Sequence, residues 1–387
     1  MIETRLTAEL KALADAGLSR RRRILESPCG RRVTVDGENL LNFASNDYLG
    51  LAGHAEIAQA LAAGAIKWGA GSGASHLVSG HQSPHEALEK EIAALTGFPR
   101  ALTFSTGYLA NLAVTPTLAG RGAAVFADKL NHASLIDAMQ LAKAQGAEVR
   151  RYPHNDMAAL ESMLAGTAAP TKLIVSDAVF SMDGDLAPLP ALFALAERYD
   201  AWLIIDDAHG FGVLGAHGAG SLAHFNLPPS PRIVLMGTLG KAAGVGGAFV
   251  AGSHSSIDYL LQKGRSYIFT TAQPPALACA LSKSLQLIAE GDARRAHLMA
   301  RIAQLRDGLS HLPQPLLPSI TAIQPLIVGD NDAAVQLSQA LWERRLWLPA
   351  IRPPTVPPGT ARLRISLSAA HTEADIDALI SALHALT

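Results

Sequence analysis

Cysteine is almost missing from this chain: two residues in 387, Cys29 and Cys279. That excludes a disulfide framework and makes a reducing, cytoplasmic setting the expectation. Neither sign of charge dominates. There are 32 Lys+Arg against 33 Asp+Glu and a formal net charge of −1, so no global field argues for nucleic acid or an anionic membrane as partner. The single basic block, Arg20 to Arg23, is too short to define a nucleic-acid patch. No uninterrupted apolar run reaches the ~18 residues of a membrane span. Met1 to Leu13 alternates charged and apolar residues at helical spacing, without the apolar core of a signal peptide. Internal repeats and low-complexity segments are absent too, and the stretch Pro349 to Pro358 reads as a shaped loop rather than a linker.

What is present is enough apolar material for a large core: hydrophobic residues make up 49% of the chain. Its length points to one large domain with a smaller partner. The spacing predicts helices over 3–16, 57–68 and 84–95, the last with Pro84 at its start and Gly97 just past its end. A short strand is expected over 40–43. From residue 101, short apolar strands (101–104, 123–126, 148–152, 172–176, 202–206, 232–236 and 248–251) alternate with helices (108–118, 133–145 and 157–164). That alternation predicts a mostly parallel sheet covered on both faces. Past residue 275 the pattern changes to a mostly helical 275–312, a strand at 323–328, a helix at 333–345, a strand at 362–366 and a helix at 372–386. This predicts a smaller α+β unit.

The chemistry concentrates at two strand ends. Lys241, in Thr238-Leu239-Gly240-Lys241, follows the apolar run 233–236, and Asp206-Asp207-Ala208-His209 closes the run 203–205. A cofactor carrying an aldehyde and a pyridine ring needs such a pair, a lysine for a Schiff base and an acid for the ring nitrogen. A surface lysine is the plain alternative. Glycines at 240, 244, 246 and 247 shift the balance by letting a planar ligand approach the backbone. A phosphate-binding P-loop fails as a reading, because Ala242 stands where Ser or Thr is required and Leu235 where the first glycine belongs. Asp206, Asp207 and His209 could also hold a metal with His217 or His224, or one Asp could cap the next segment. Ser105-Thr106-Gly107-Tyr108 lies between a strand and a helix, where free N–H groups suit a phosphate or merely a cap. His132, in Asn131-His132-Ala133-Ser134, could lie on an aromatic cofactor or simply open its helix. Asp183-Gly184-Asp185 lacks the remaining ligands of a calcium loop. No G-x-S-x-G elbow occurs. Cys279 reads as core packing.

Five segments occur together and in order: Asn46-Asp47-Tyr48-Leu49-Gly50, Asn131 to Ser134, Phe180-Ser181-Met182-Asp183-Gly184-Asp185, Asp206 to Gly210, and Thr238 to Lys241. In this the chain resembles the α-oxoamine synthases from about residue 20 onward. One departure is Asp177, where close relatives are expected to carry Glu; the stretch Gly69 to His81 also differs. The resemblance implies the α/β architecture of pyridoxal-phosphate-dependent transferases of fold type I. That architecture has a large domain over 46–280 with a mostly parallel sheet, a small α+β C-terminal domain over 281–387, and an arm over 1–45 packing with the small domain. It implies an acyltransferase that condenses an amino acid with an acyl thioester and releases CO2, with pyridoxal 5'-phosphate as cofactor and no metal.

Carried over by residue, the resemblance makes Lys241 the cofactor lysine and the base for the amino acid's Cα proton. Asp206 pairs with the pyridine nitrogen, His132 lies on the ring, and His209 and Ser181 bond the ring oxygen. Thr238 and the backbone of Gly107 and Tyr108 take the phosphate. Thr270 and Thr271 are the hydroxyls expected from a second subunit, which places the site at a homodimer interface. Arg364 is expected on the amino acid's carboxylate, with Arg21, Asn46 and Thr355 as further substrate contacts and Arg352 on the far end of the acyl group. The stretches 322–329 and 350–357 resemble the biotin-synthesis branch of the family, which implies L-alanine and pimeloyl-CoA or pimeloyl-acyl carrier protein as substrates.

Overall fold

The computed structural model describes residues 2–20 and 22–387. An exposed helix, α1 (Ile2–Asp15), leads to a hairpin of β1 (Arg32–Val35) and β2 (Glu38–Asn42). Its turn runs through Asp36 and Gly37 at φ 49° and 80°, the pair of positive values that a two-residue hairpin loop demands. Helices α2 (Ala55–Trp68) and α3 (Ser83–Thr96) follow.

The large sheet is then built from β3 (Arg100–Phe104), β4 (Ala124–Asp128), β5 (Glu148–Tyr152), β6 (Lys172–Asp177), β7 (Ala201–Asp206), β8 (Ile233–Thr238) and β9 (Ala248–Gly252). Between or after them lie α4 (Gly107–Ala119), α5 (Ala133–Ala144), α6 (Met157–Ala165), α7 (Leu189–Arg198), the short α8 (Ser221–His224), α9 (His254–Lys263) and the short α10 (Arg265–Ile268). The strand order is β3-β9-β8-β7-β6-β4-β5, with β9 antiparallel to both neighbours and every other pairing parallel. Why the central strands read as unbroken apolar runs is visible in their packing. Leu203 and Ile205 join one buried cluster while Ile204 joins another, and Ile233 and Leu235 divide from Val234 and Met236 in the same way. Alternate side chains thus serve two cores, one per face.

Helices α11 (Pro275–Ala289) and α12 (Asp292–Gly308) lead to a second sheet, in which β13 (Ala361–Ser366) lies between β10 (Ile323–Gly329) and the short β12 (Ala350–Ile351). Helices α13 (Asn331–Glu343) and α14 (Glu373–His384) complete this part. The short β11 (Leu346–Trp347) runs parallel to β2, so the early hairpin is stitched to the late part of the chain.

Several elements fall outside the sequence expectation. β1 and the helices α7 to α10 are additional, and the helical stretch expected over 275–312 is divided at Gly291. In α7 the prolines at 188 and 190 conceal a helix; Pro188 is its N-cap and Pro190 lies in its first turn, where a missing N–H costs nothing. Among the described residues no helix is long and apolar enough to cross a membrane.

Candidate active site

Three neighbouring parallel strands end level with one another. Asp177 at the end of β6 is in register with Asp206 at the end of β7, and Asp206 with Met236 near the end of β8, which Thr238 closes three residues before Lys241. Parallel strands in such a register collect their last residues at one edge, where α/β folds bind ligands. A cavity of about 180 Å³ opens there, lined by Gly107, Tyr108, His132, Ser134, Asp177, Asp206, His209, Thr238 and Lys241 among others. Past Lys241 the chain turns at Gly244 (φ 69°), where a Cβ would stand 2.5 Å from the Ala52 nitrogen. Glycine is what lets the lysine loop press against residues 51 and 52.

Lys241 Nζ lies 2.8 Å from His209 Nε2, and His209 Nδ1 lies 2.6 Å from the Tyr48 hydroxyl. Tyr48 donates to Asn46 Oδ1 (3.1 Å), so its oxygen accepts from His209 Nδ1–H and the Nε2 lone pair is left facing the lysine. Burial, with the neighbouring Lys241 and Arg364 charges, holds His209 well below the usual imidazole range. Burial also brings the Lys241 ammonium down from 10.5 to about 8, against the opposing pull of Asp206 and Asp177. A lysine so placed supplies a free amine near neutral pH.

The two adjacent acids after Ile205 part company. Asp206 Oδ1 accepts from the Ala208 N–H (3.0 Å) and Oδ2 from Asn111 Nδ2 (2.8 Å). Asp207 instead accepts from the backbone N–H (2.7 Å) and hydroxyl (2.5 Å) of Ser221, holding the start of α8. Burial pushes Asp207 up to about 7. Only Asp206 lines the cavity, so the pair does not converge on a shared ion. Asp177 accepts the backbone N–H of His132 (2.7 Å); burial, then the nearby Asp206, pushes it well above the usual carboxylate range. His132 caps α5 through Nδ1, which accepts from the Ser134 N–H (3.2 Å).

Helix α4 opens at Gly107, with Thr106 Oγ1 accepting from the Leu109 N–H (3.2 Å). The amides of Gly107 and Tyr108 belong to the first turn, which has no intrahelical partners and favours an anion. Thr238, whose hydroxyl donates to the Gly247 carbonyl (3.1 Å), lines the same cavity. Amine, carboxylate, imidazole, hydroxyl and a helix N-terminus are therefore assembled around one small space. This donor set fits a planar pyridine aldehyde that carries a phosphate.

Beside this space lies Arg364. It is buried, and it donates to the Ser181 carbonyl (2.6 Å), Asn46 Oδ1 (3.1 Å), Ser366 Oγ (2.7 Å) and the Tyr48 oxygen (3.3 Å). All four acceptors are neutral, and among the described residues no carboxylate pairs with it. Two positions away on the same strand, Arg362 is paired with Asp183. A buried guanidinium without a countercharge is a ready site for a carboxylate. The turn that carries Ser181 is fixed against β10. Gly184 (φ 72°) sits where any Cβ would collide with the Ile323 carbonyl, and its own oxygen accepts from Ser319 and Thr321 hydroxyls (2.8 and 3.0 Å).

Of the residues expected from sequence, Gly107, Tyr108, His132, Asp206, His209, Thr238 and Lys241 share the cavity. Asn46 and Arg364 join it through Tyr48, and Ser181 through its carbonyl on Arg364. Tyr108 leans away, donating to Asp137 on α5. Thr355 lines an adjacent cavity of about 630 Å³ together with Ser181 and Pro353. Arg352 donates to the Gly17 carbonyl (2.5 Å) and so ties down the arm. Thr270 and Thr271 border a separate small hollow with His76 and Ser105. Arg21 lies outside the described residues. The sequence reading gave no site role to Tyr48, Asp177, Ser134 or Asn111. Asp177 had a usable signal, an acid closing the strand before the one that Asp206 closes. Asn111, a lone amide in the apolar run of α4, had a weaker one.

The aminotransferase class I and II family model matches residues 38–383. The 8-amino-7-oxononanoate synthase of Dechloromonas aromatica (strain RCB) is 81% identical over 100% of both chains. A variant serine palmitoyltransferase from S. paucimobilis, solved with bound PLP–myriocin, superposes with a TM-score of 0.92 at 30% identity, covering 98% of this chain and 96% of its own. An 8-amino-7-oxononanoate synthase structure from Francisella tularensis gives a TM-score of 0.77 at 30% identity, covering 89% of this chain and 96% of its own. Fold and lysine-centred cavity define a cofactor-dependent enzyme, and the chain belongs to the aminotransferase class I and II family, in its 8-amino-7-oxononanoate synthase branch.

Proposed function

We propose that this enzyme joins L-alanine to a pimeloyl thioester, releasing CO2 and the free thiol, to form 8-amino-7-oxononanoate in biotin biosynthesis. The carrying observation is the buried, uncompensated Arg364, held by Asn46 and Tyr48 beside the Lys241 cavity. A carboxylate bound there would sit near Lys241, whose ammonium is brought down to about 8 and whose charge Arg364 also opposes. Pyridoxal 5'-phosphate is the cofactor, and when bound it supplies an electron sink for the pair left at Cα.

The protein's own residues do the rest. Asp206, fixed by Asn111 and the Ala208 amide, is the acid for the ring nitrogen. Thr238 and the amides of Gly107 and Tyr108 would hold the phosphate, and His132 would face the ring. Arg364 clamps the alanine carboxylate. Lys241 Nζ, steered by His209 and through it by Tyr48, takes the Cα proton. The 630 Å³ cavity beside Ser181, with Thr355 in its wall, receives the acyl chain. In this reading residues 46–280 form the cofactor domain and 281–387 the small domain, with 1–45 as an arm on the latter. Thr270 and Thr271 would complete the phosphate site of a second copy, which would make the working unit a homodimer. The free thiols Cys29 and Cys279 suit the cytoplasm.

The test is a product assay with two substrate pairs. Alanine with a pimeloyl thioester is expected to yield CO2 and 8-amino-7-oxononanoate, with kcat/KM at least about 10²-fold above that for glycine with an acetyl thioester. Preference for the glycine pair would overturn the assignment. Mixing Lys241→Ala and Thr270→Ala/Thr271→Ala chains tests the dimer: partial recovery of turnover is expected, and none would reject the shared site.

A further inference from the structure

The cavity acid and the cavity histidine are wired to each other behind the cavity wall. Asn111, wholly buried in α4, donates one amide hydrogen to Asp206 Oδ2 (2.8 Å) and the other to Ser134 Oγ (2.8 Å). The Ser134 oxygen accepts there and its hydrogen remains available to donate to His132 Nδ1, 2.7 Å away. The Ser134 backbone N–H points at the same nitrogen (3.2 Å). Two donors thus converge on Nδ1. A proton on that nitrogen would face the fixed backbone N–H and cost the hydroxyl's bond, which disfavours the Nδ1–H tautomer and the imidazolium alike. Reversing the Asn111 amide does not relieve this, since its oxygen would then oppose the Asp206 carboxylate. The wiring has a cost: in the observed orientation Asn111 Oδ1 is buried without a partner. A buried amide that leaves one end unsatisfied to keep the other end doubly engaged is strongly constrained.

We infer that Asn111 and Ser134 are positioning residues that lock His132 as the neutral tautomer with its proton on Nε2. The consequence is that His132 faces the cavity as a hydrogen-bond donor and not as a base. It therefore serves an oxygen that gains negative charge, such as the thioester carbonyl under attack, while Lys241 remains the sole base. This last step rests on the proposed condensation; the lock itself does not. Burial also lowers the imidazole's affinity for a proton, with Asp206 pulling the other way and Lys241 adding to the effect. The other ionisable groups around the ring are Asp177, which takes the His132 backbone N–H, and His209.

The experiment is 15N NMR of histidine-labelled protein free of cofactor, over a pH series, for wild type, Ser134→Ala, Ser134→Thr and Asn111→Leu. Wild type is expected to show a pyrrole-type Nε2 and a lone-pair Nδ1 at His132, with protonation displaced below the ordinary imidazole range. Ser134→Ala is expected to give mixed tautomers and a midpoint moved toward 6.5, the ordinary imidazole value. Ser134→Thr, which keeps the hydroxyl, should behave as wild type, and Asn111→Leu should resemble Ser134→Ala. A proton on Nδ1 in wild type, or an unchanged His132 in Ser134→Ala, would overturn the lock. If Asn111→Leu fails to fold, the two Ser134 variants still decide. In the loaded enzyme, Ser134→Ala is expected to lose on the order of 10- to 100-fold in kcat/KM for the pimeloyl thioester, with rescue by Ser134→Thr. Unchanged turnover alongside mixed tautomers would overturn the donor role. Absence of product from wild type would instead count against the proposed function and leave the NMR result standing.

Discussion

The large sheet carries a cavity at each of its edges, and the two differ in kind. At the end where β6 and β7 begin, a hollow of about 420 Å³ is lined by Lys172, Asp200, Trp202 and Arg232. It is more than twice the size of the roughly 180 Å³ space at the opposite end. Its ion pair is open to water: Arg232 donates to Asp200 at 2.6 Å, with side chains 38% and 83% exposed. At the opposite edge the charged groups are buried, and Arg364 has no carboxylate at all among the described residues. Water screens the first set and leaves little to exploit, whereas dehydration strains the second and makes a ligand of the right charge welcome. Volume is therefore a poor guide to chemistry here, and unsatisfied buried charge a good one.

That contrast can be broken or sharpened in a series of decreasing effect. Lys241→Ala is expected to lower turnover by roughly 10⁴-fold and to abolish the visible absorption band that wild type gains with pyridoxal phosphate. An unaltered band would remove the lysine from the centre of the site. Arg364→Met should lower kcat/KM for alanine by about 10²-fold, the worth of a charge-assisted bond pair. The melting temperature of the free protein should not fall, because an uncompensated buried charge is lost. A large drop in melting temperature would make Arg364 structural and erase its difference from Arg232. Cofactor uptake by the free protein should slow about tenfold for each pH unit below about 8, because only the neutral Lys241 amine attacks a carbonyl. Uptake independent of pH between 6 and 8 would contradict the low lysine value.

A smaller effect concerns His154. Burial works against its charge, but Asp128 and Asp185 on its two nitrogens outweigh burial and hold it up to about 10. A base raised in the folded state contributes stability that is complete below its ordinary 6.5 and lost as pH rises through about 10. Denaturant midpoints measured across pH 6.5 to 10 should fall in wild type and fall less in His154→Gln. Smallest of all, Asp200→Asn at the opposite edge should change stability by less than about 1 kcal/mol and leave kcat unmoved. A clear loss of turnover there would mean that the two edges communicate.

Much of this site was legible in the chain before any coordinates. Lys241, Asp206, His132 and Thr238 each stand at the end of an apolar strand or the start of a helix, and period alone locates such places. The parallel sheet announced itself through unbroken apolar strands separated by helices. Other features had no local signature. Arg362 and Arg364 share one face of one strand, and only the position of Asp183 gives the first a carboxylate partner and leaves the second with neutral acceptors. Asp206 and Asp207 are neighbours that the sequence cannot rank; Ser221 claims one and Asn111 the other. The link from Tyr48 to His209 spans 161 residues and follows from tertiary packing, which no window of sequence reports.

The bond between Arg364 and Asn46 joins residues 318 positions apart. During synthesis, then, the parts of the site mature at different times. The strand ends bearing Asp177, Asp206 and Lys241 emerge from the ribosome well before β13 does. At the usual 5–20 residues per second, roughly 6 to 25 seconds separate Lys241 from Arg364. A nascent chain passes through an interval in which the lysine and its acid exist but the buried guanidinium beside them does not. The cavity's strand ends are the older part of each molecule, and the buried guanidinium beside them is among the last parts the ribosome adds.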